Sequence, residues 1–320
     1  MSADDSSTPG PDDGSTRRHE RFDTTGPADL LVEIDAGRVD VRLEASDQVR
    51  VDVVADTGSA PGWMQGLSGL VDAAGGLERR FGFDLGAIAG LGLRTDESAE
   101  ERAARAVAGT EVTWEGGRLH VRSPREMALR TVPLAVTVHA PESSGVVVRA
   151  GAAPVDVAGT PGEVEIGTTG TVSLDRVAAR SSIRCGAGDV TVGRVEGVLR
   201  CKGGAGDVFL DQVSASTEVV TGSGSVTAGR VSADLAVRCG SGDVTVRDAS
   251  AGDLDLSTGA GSVRVGVHAG VDASVDLRSA AGSASSDLPV SATRPDSSSG
   301  TPLRIRGRAA AGNTRVGAAT

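Results

Sequence analysis

The chain reads as an all-β protein: a single-stranded β-solenoid, β-helix-like, with coils of about 18 residues and a short helical insertion. Three observations carry this. First, a glycine followed by Asp, Ser or Thr and then Val recurs at Gly170, Gly188, Gly206, Gly224, Gly242 and Gly261, with spacings of 18, 18, 18, 18 and 19 residues. Second, apolar residues alternate with polar ones after each marker, as in Val190, Val192 and Val195 against Asp189 and Thr191. That period of two marks half-buried strands. Third, the chain has 45 Gly but only 4 Phe, 2 Trp and no Tyr, so its core must be many thin layers of Val, Leu, Ile and Ala.

Taken in order, residues 1–25 form a polar, acidic tail without an apolar signal region, a composition that stays disordered. Residues 26–58 alternate and read as the first, degenerate solenoid strands, with Gly37-Arg38-Val39 as a loose copy of the marker. Residues 59–110 break the pattern. Trp63, Leu67, Leu70, Val71, Ala74, Leu77 and Phe81 recur at helical spacing, and 97–108 predicts a second helix. The insertion reads as a cap over the open end of the solenoid, with a membrane or partner helix as the alternative. Residues 111–320 resume the coils and belong to one solenoid domain with 26–58. Ala153-Pro154-Val155 and Gly282 continue the marker at looser spacing, and 289–302 form a loop before a last strand.

Each unit holds two short strands and two turns, and stacking lets neighbours share one core. Glycine at the corner answers a need for positive φ or close backbone approach. The neighbouring Asp189, Asp207 and Asp243 are expected to bond back to local N–H groups, as in Asx-turns. A calcium repeat would need Gly-Gly-x-Gly-x-Asp, and in Gly203-Gly204-Ala205-Gly206-Asp207 the Asp comes one position too early. The same column carries Thr171, Ser225 and Ser262, which are poor stand-ins for a carboxylate ligand. Phosphate loops end a strand and open a helix, whereas each phrase here runs into another strand. No cofactor and no metal site are therefore expected.

Two basic lines stand out. Arg176, Arg194 and Arg230 share one column, interrupted by Gln212; Arg184, Lys202 and Arg238 share another, interrupted by Val220. Both read first as solvated faces that discourage lateral aggregation, and second as a surface for an acidic partner. Ser173, Thr191, Thr227 and Thr245 form a flat hydroxyl-rich ladder, the candidate contact surface. Cys185 and Cys239 fall in one column and Cys201 in another, all as small buried hydrophobes. His120 and His139 lie on strands with no partner carboxylate at motif spacing. Outside the turn column the repeated coils offer one aromatic, Phe209, and no acidic cluster, so a carbohydrate-active β-helix enzyme is the weakest of the readings.

The net charge of −11 argues against nucleic acid, and no apolar run of about 18 residues suggests a membrane span. Three cysteines cannot form a fully paired framework, which fits a reducing, cytoplasmic setting.

The recurrent [SA]-G-[DS]-V-x-V coils, the segment VTVHAPESSGVVVRA and the closing VDLRSAAGSASSDLP…LRIRGRAAAGNTRV resemble a bacterial β-strand-repeat domain of unknown function labelled "putative adhesin". The resemblance covers about 28–58 and 111–320, implies a solenoid and brings no catalytic residues. Family members tend to repeat Ser-Gly-Asp in the last two corners. Here Ala281-Gly282-Ser283 and Ala311-Gly312-Asn313 depart from that, as if the repeat decays near its end. The expected function is a non-enzymatic interaction or scaffolding module. Its partner is an unidentified protein or, as the alternative, a further copy of the chain in a filament-like assembly.

Overall fold

Val190, Val192 and Val195 of strand Val190–Val195 are buried, the chain turns at Gly197, and strand Leu199–Ala205 buries Leu199 and Cys201 before the next corner. The computed structural model describes residues 16–56, 98–288 and 303–319, and this unit repeats along it. Each coil places one strand in one sheet, A, and the other in a facing sheet, B. Neighbouring coils are parallel and in register, so Val190 lies beside Val172 and Val208, and Cys201 beside Ile183 and Val219. The core is thus a set of apolar columns clamped between two sheets, which is why Val, Leu and Ile suffice without large rings.

Sheet B runs in space through 118–122, 29–36, 145–152, 164–168, 181–185, 199–205, 217–223, 235–241, 252–260, 303–311 and 273–281. These eleven coils span about 50 Å at the usual strand spacing. Two coils are out of chain order. Strand Asp29–Glu44 crosses from sheet B to sheet A and is sandwiched between the coils that begin at 118 and 145. The last coil, with strands Leu303–Ala311 and Thr314–Ala318, is inserted between 252–267 and 273–286. Both the first and the last coil therefore have partners on each side.

Three expectations change at the N-terminal end. Strand Gln48–Ala55 is not a coil; it pairs antiparallel with Leu134–Pro141 and closes the parallel stack of sheet A. Arg17–Asp23, expected within the disordered tail, is a strand antiparallel to it. Backbone pairing orders this polar segment, and Phe22 adds a stacked contact with Trp114, centroids 5.5 Å apart and planes at 13°. Thr110–Arg122 is partly a hairpin, in which Glu111–Glu115 pairs antiparallel with Arg118–Arg122.

The helix expected over 97–108 is present as Ala99–Ala108. Ser98 caps it, accepting from the Glu101 N–H while the Glu101 carboxylate accepts from the Ser98 N–H. Ala103, Ala106 and Val107 are buried on the face that packs toward the end strands. The helical spacing from Trp63 to Phe81 and the loop 289–302 lie outside the described residues, as do residues 1–15. Among the described residues no helix is long and apolar enough to cross a membrane.

Candidate functional site

The corner glycines come first, because they set the two outer faces. Gly206 has φ +124, and a Cβ there would stand 2.4 Å from the Gly188 carbonyl oxygen of the preceding coil. Gly188 lacks the positive φ, yet its Cβ would also lie 2.4 Å from the backbone of Gly170. Close stacking of coils, more than turn type, therefore demands the glycine. The two final corners are not decayed: Gly282 and Gly312 have φ +152 and +132, and each abuts a neighbouring corner glycine.

The aspartates do not form local Asx-turns. Asp189 Oδ1 accepts the Asp207 N–H at 2.8 Å, Asp207 Oδ1 the Ser225 N–H at 2.7 Å and Asp243 Oδ1 the Ser262 N–H at 2.7 Å. In-register stacking brings the N–H of the next coil within hydrogen-bond reach of each carboxylate. Asn313 plays the same part for Ser283 at 3.0 Å. Asp243 also takes Arg264 Nη1 at 2.7 Å. The Ser262 N–H first, and Arg264 with it, hold its carboxyl below the ordinary value.

A second set of bonds was not foreseen from sequence. An inward column of small donors serves the corner carbonyls: Thr168 Oγ1 donates to Ala153 O at 2.6 Å, Cys185 Sγ to Gly170 O at 3.1 Å, Cys239 Sγ to Gly224 O at 3.3 Å and Thr258 Oγ1 to Gly242 O at 2.8 Å. The signal is present as Thr and Cys recurring in one column at the coil repeat, interrupted by Gly203.

On the outside of sheet A, Ser173, Thr191, Phe209, Thr227 and Thr245 lie in one unbroken row, each opposite the next. The hydroxyl ladder expected from sequence also takes in Phe209, which stands at the centre of the row, 40% exposed. Beside it run Arg176, Arg194, Gln212 and Arg230, also in register, and the row then ends in Asp248. Arg176 pairs with Glu196 at 3.6 Å.

The other basic line is on the opposite face. Arg184, Lys202, Val220 and Arg238 are in register on sheet B, and the row extends through Gly167 to Arg149 and through Ser257 to Arg308 and Arg278. Most of these cations lean on carboxylates: Arg149 on Glu33 at 3.0 Å, Arg184 on Glu165 and Arg238 on Glu218 at 3.4 Å, Arg278 on Asp276 at 3.1 Å.

The histidines do have carboxylate neighbours, brought by register rather than by motif spacing. His120 Nε2 lies 3.2 Å from Glu33 Oε2, and His139 Nδ1 3.3 Å from Glu44 Oε1. Glu33 is held below its usual value mainly by Arg149 and then by His120, which keeps it ionised and makes it a poor proton donor. Burial raises the thiols of Cys185 and Cys239 and pushes Cys201 up to about 12, so each is a weak nucleophile at neutral pH. Among the described residues, no group of three or more His, Cys, Asp or Glu could hold a metal ion.

A family model described as Toastrack DUF4097 matches residues 136–314. Among solved structures, the chain is similar to a "putative adhesin" of Bacteroides fragilis, at 10% identity, covering 94% of this chain and 96% of that one, with a TM-score of 0.40. It is similar also to a "putative adhesin" of Parabacteroides merdae, at 7% identity, 94% and 96% coverage and a TM-score of 0.35. A "putative lipid binding protein" of Parabacteroides distasonis gives 8% identity, 94% and 96% coverage and a TM-score of 0.33. No curated protein matches. The family match spans more than half of the chain and takes in every 18-residue coil, so this chain belongs to the Toastrack DUF4097 family.

Proposed function

We propose that the chain is a non-enzymatic, adhesin-like interaction module whose outer face on sheet A meets a partner protein. One observation carries the reading: the row Ser173, Thr191, Phe209, Thr227 and Thr245 is in register and centred on an exposed aromatic ring. Exposed aromatics in the middle of a polar patch are the residue type that anchors protein interfaces. The parallel coils beneath hold the row rigid, so little order has to be imposed on binding. In the same reading the module works in a reducing cytoplasm, where its three buried thiols stay free.

Immobilised protein should capture a specific partner from the extract of its own host. Phe209→Asp, and separately Thr191→Arg with Thr227→Arg, should abolish capture while the thermal melt stays unchanged. Capture retained by both folded variants overturns the reading.

A second reading, end-to-end self-association, draws on the other end of the stack. The outer edge of strand Ala273–Ala281 has no strand partner among the described residues, and Val275 and Leu277 are only half-buried there. Asp276 and Arg278 flank Leu277, so two copies paired antiparallel about Leu277 would set opposite charges against each other. Sedimentation of a strict monomer at high concentration would rule this out.

A further inference from the structure

On sheet B, two neighbouring coils carry cations that their own strands do not balance with carboxylates. Strand Ser181–Cys185 presents Ser182 and Arg184 outward, with Arg180 just before it; strand Leu199–Ala205 presents Arg200 and Lys202, with Val198 just before it. Two consecutive coils thus carry four cations and no carboxylate on this face, in a chain of net charge −11. The coil on one side supplies Glu163, just before its strand, and Glu165, and the coil on the other side supplies Glu218. Glu165 draws Arg184 at 3.4 Å, and Glu218 is divided between Arg200 at 3.7 Å and Arg238 at 3.4 Å. Among the described residues neither Arg180 nor Lys202 has an ion-pair partner.

Arg184 and Lys202 sit directly opposite each other on neighbouring strands, and Ser182 opposite Arg200. Like charges in register repel, and elsewhere on this face the chain relieves such contacts with Gly167, Val220 or Ser257 or, where Arg308 faces Arg278, with a carboxylate for each cation, Asp255 and Asp276. Here it does not. Local rules are broken in this way where a ligand compensates for them. The small Ser182 leaves a surface depression of about 250 Å³ lined by Arg180, Ser182, Arg184, Arg200, Lys202 and Glu218. That is below the roughly 300–1,000 Å³ of pockets for drug-sized ligands, and suits one tetrahedral group with its hydration.

We propose that this depression is an oxyanion-binding site that takes a phosphate- or sulfate-type group, with Arg180, Arg184, Arg200 and Lys202 as its cationic walls and the Ser182 hydroxyl as a donor on its floor. Guanidinium and ammonium groups around a tetrahedral oxyanion form the stronger, charge-assisted class of hydrogen bond. The outer face here offers no aromatic ring for base stacking, which separates the site from a single-stranded nucleic-acid track. The site lies on the sheet opposite the Phe209 row and stands independently of the function proposed for that row.

The test is calorimetric titration of the full chain at low ionic strength with inorganic phosphate and, in parallel, glycerol 3-phosphate. Saturable binding is expected, weakened by added salt and by at least about tenfold in Arg180→Ala/Lys202→Ala. Arg278→Ala, remote on the same row, should leave it unchanged. Binding of inorganic phosphate alone assigns a free ion, and binding of both assigns an esterified group. Lys202→Glu should lose binding yet raise the thermal midpoint at low salt, because it relieves the Arg184 contact. Absence of saturable binding by either probe, or equal affinity in the double variant and the parent, overturns the proposal.

Discussion

Asp189 Oδ1 accepts the backbone N–H of Asp207 at 2.8 Å, across one coil and eighteen residues of chain. This bond converts a corner residue into a tie between coils, and Asp207 passes the same tie on to Ser225 at 2.7 Å. Asp207→Ala would leave the part-buried Ser225 N–H without its acceptor, at a cost of about 1–3 kcal/mol. Asp207→Asn should cost less than about 1 kcal/mol, because an amide oxygen can still accept. Asn313 already does so for Ser283. Urea melts of the two variants check the ranking, and an equal loss in both would mean that charge rather than hydrogen bonding holds the coil.

Asp243 makes this tie acid-sensitive. Its carboxyl is held below the ordinary value by the Ser262 N–H and by Arg264, so it stays ionised to lower pH in the folded chain than in the unfolded one. A depressed folded value gives stability that is fully present above the unfolded pKa and is lost as pH falls through the folded one. The affected window lies below about pH 4, where unfolded aspartates take up protons. Asp243→Asn should therefore lower stability at pH 7 only slightly, since the exposed Arg264 pair is screened by solvent, and flatten the acid limb of the thermal midpoint against pH. A parent and variant with parallel acid limbs would contradict this.

Gly206 combines both demands of a corner, φ +124 and a Cβ position 2.4 Å from Gly188 O. Gly206→Ala has to strain its own backbone and push two coils apart, so the expected loss is about 3 kcal/mol or more. Gly203→Ala is the comparison. Its nearest contact would be the Thr221 side chain at 3.2 Å, with no positive φ. It should lose markedly less, and a similar loss at both positions would refute the close-approach account.

Much of this was legible in sequence because the coil repeat is a local property. The Gly-Asp-Val marker, the alternation after it and the columns of Arg176, Arg194 and Arg230 and of Thr191, Thr227 and Thr245 follow from counting 18, and the register repeats them. The place of Phe209 in that second column follows from the same count, although an apolar ring carries none of the hydroxyl signature that marks the column. Other features had no local signature. Whether Asp189 bonds within its turn or to Asp207 depends on which N–H stacking leaves free. The ordering of Arg17–Asp23 depends on a distant strand, 48–54. Coil order is hidden most completely, since a coil inserted between two others has the same alternation as one added at the end.

That order can be measured directly. Ser257, Arg308 and Arg278 lie in one outward row of sheet B, in that spatial sequence. Ser257 and Arg308 are thus neighbours about 5 Å apart at the backbone, although 51 residues separate them in the chain, while Ser257 and Arg278 are about 10 Å apart. Cys185, Cys201 and Cys239 are buried, so spin labels added to the folded chain should go to introduced surface cysteines. Dipolar broadening should be stronger for the Ser257→Cys/Arg308→Cys pair than for the Ser257→Cys/Arg278→Cys pair. The reverse ranking would mean that the coils stack in chain order, with the last one forming the exposed end. Under the order described here, the last coil is instead held between two others, and the end of the stack is the coil that begins at Ala273.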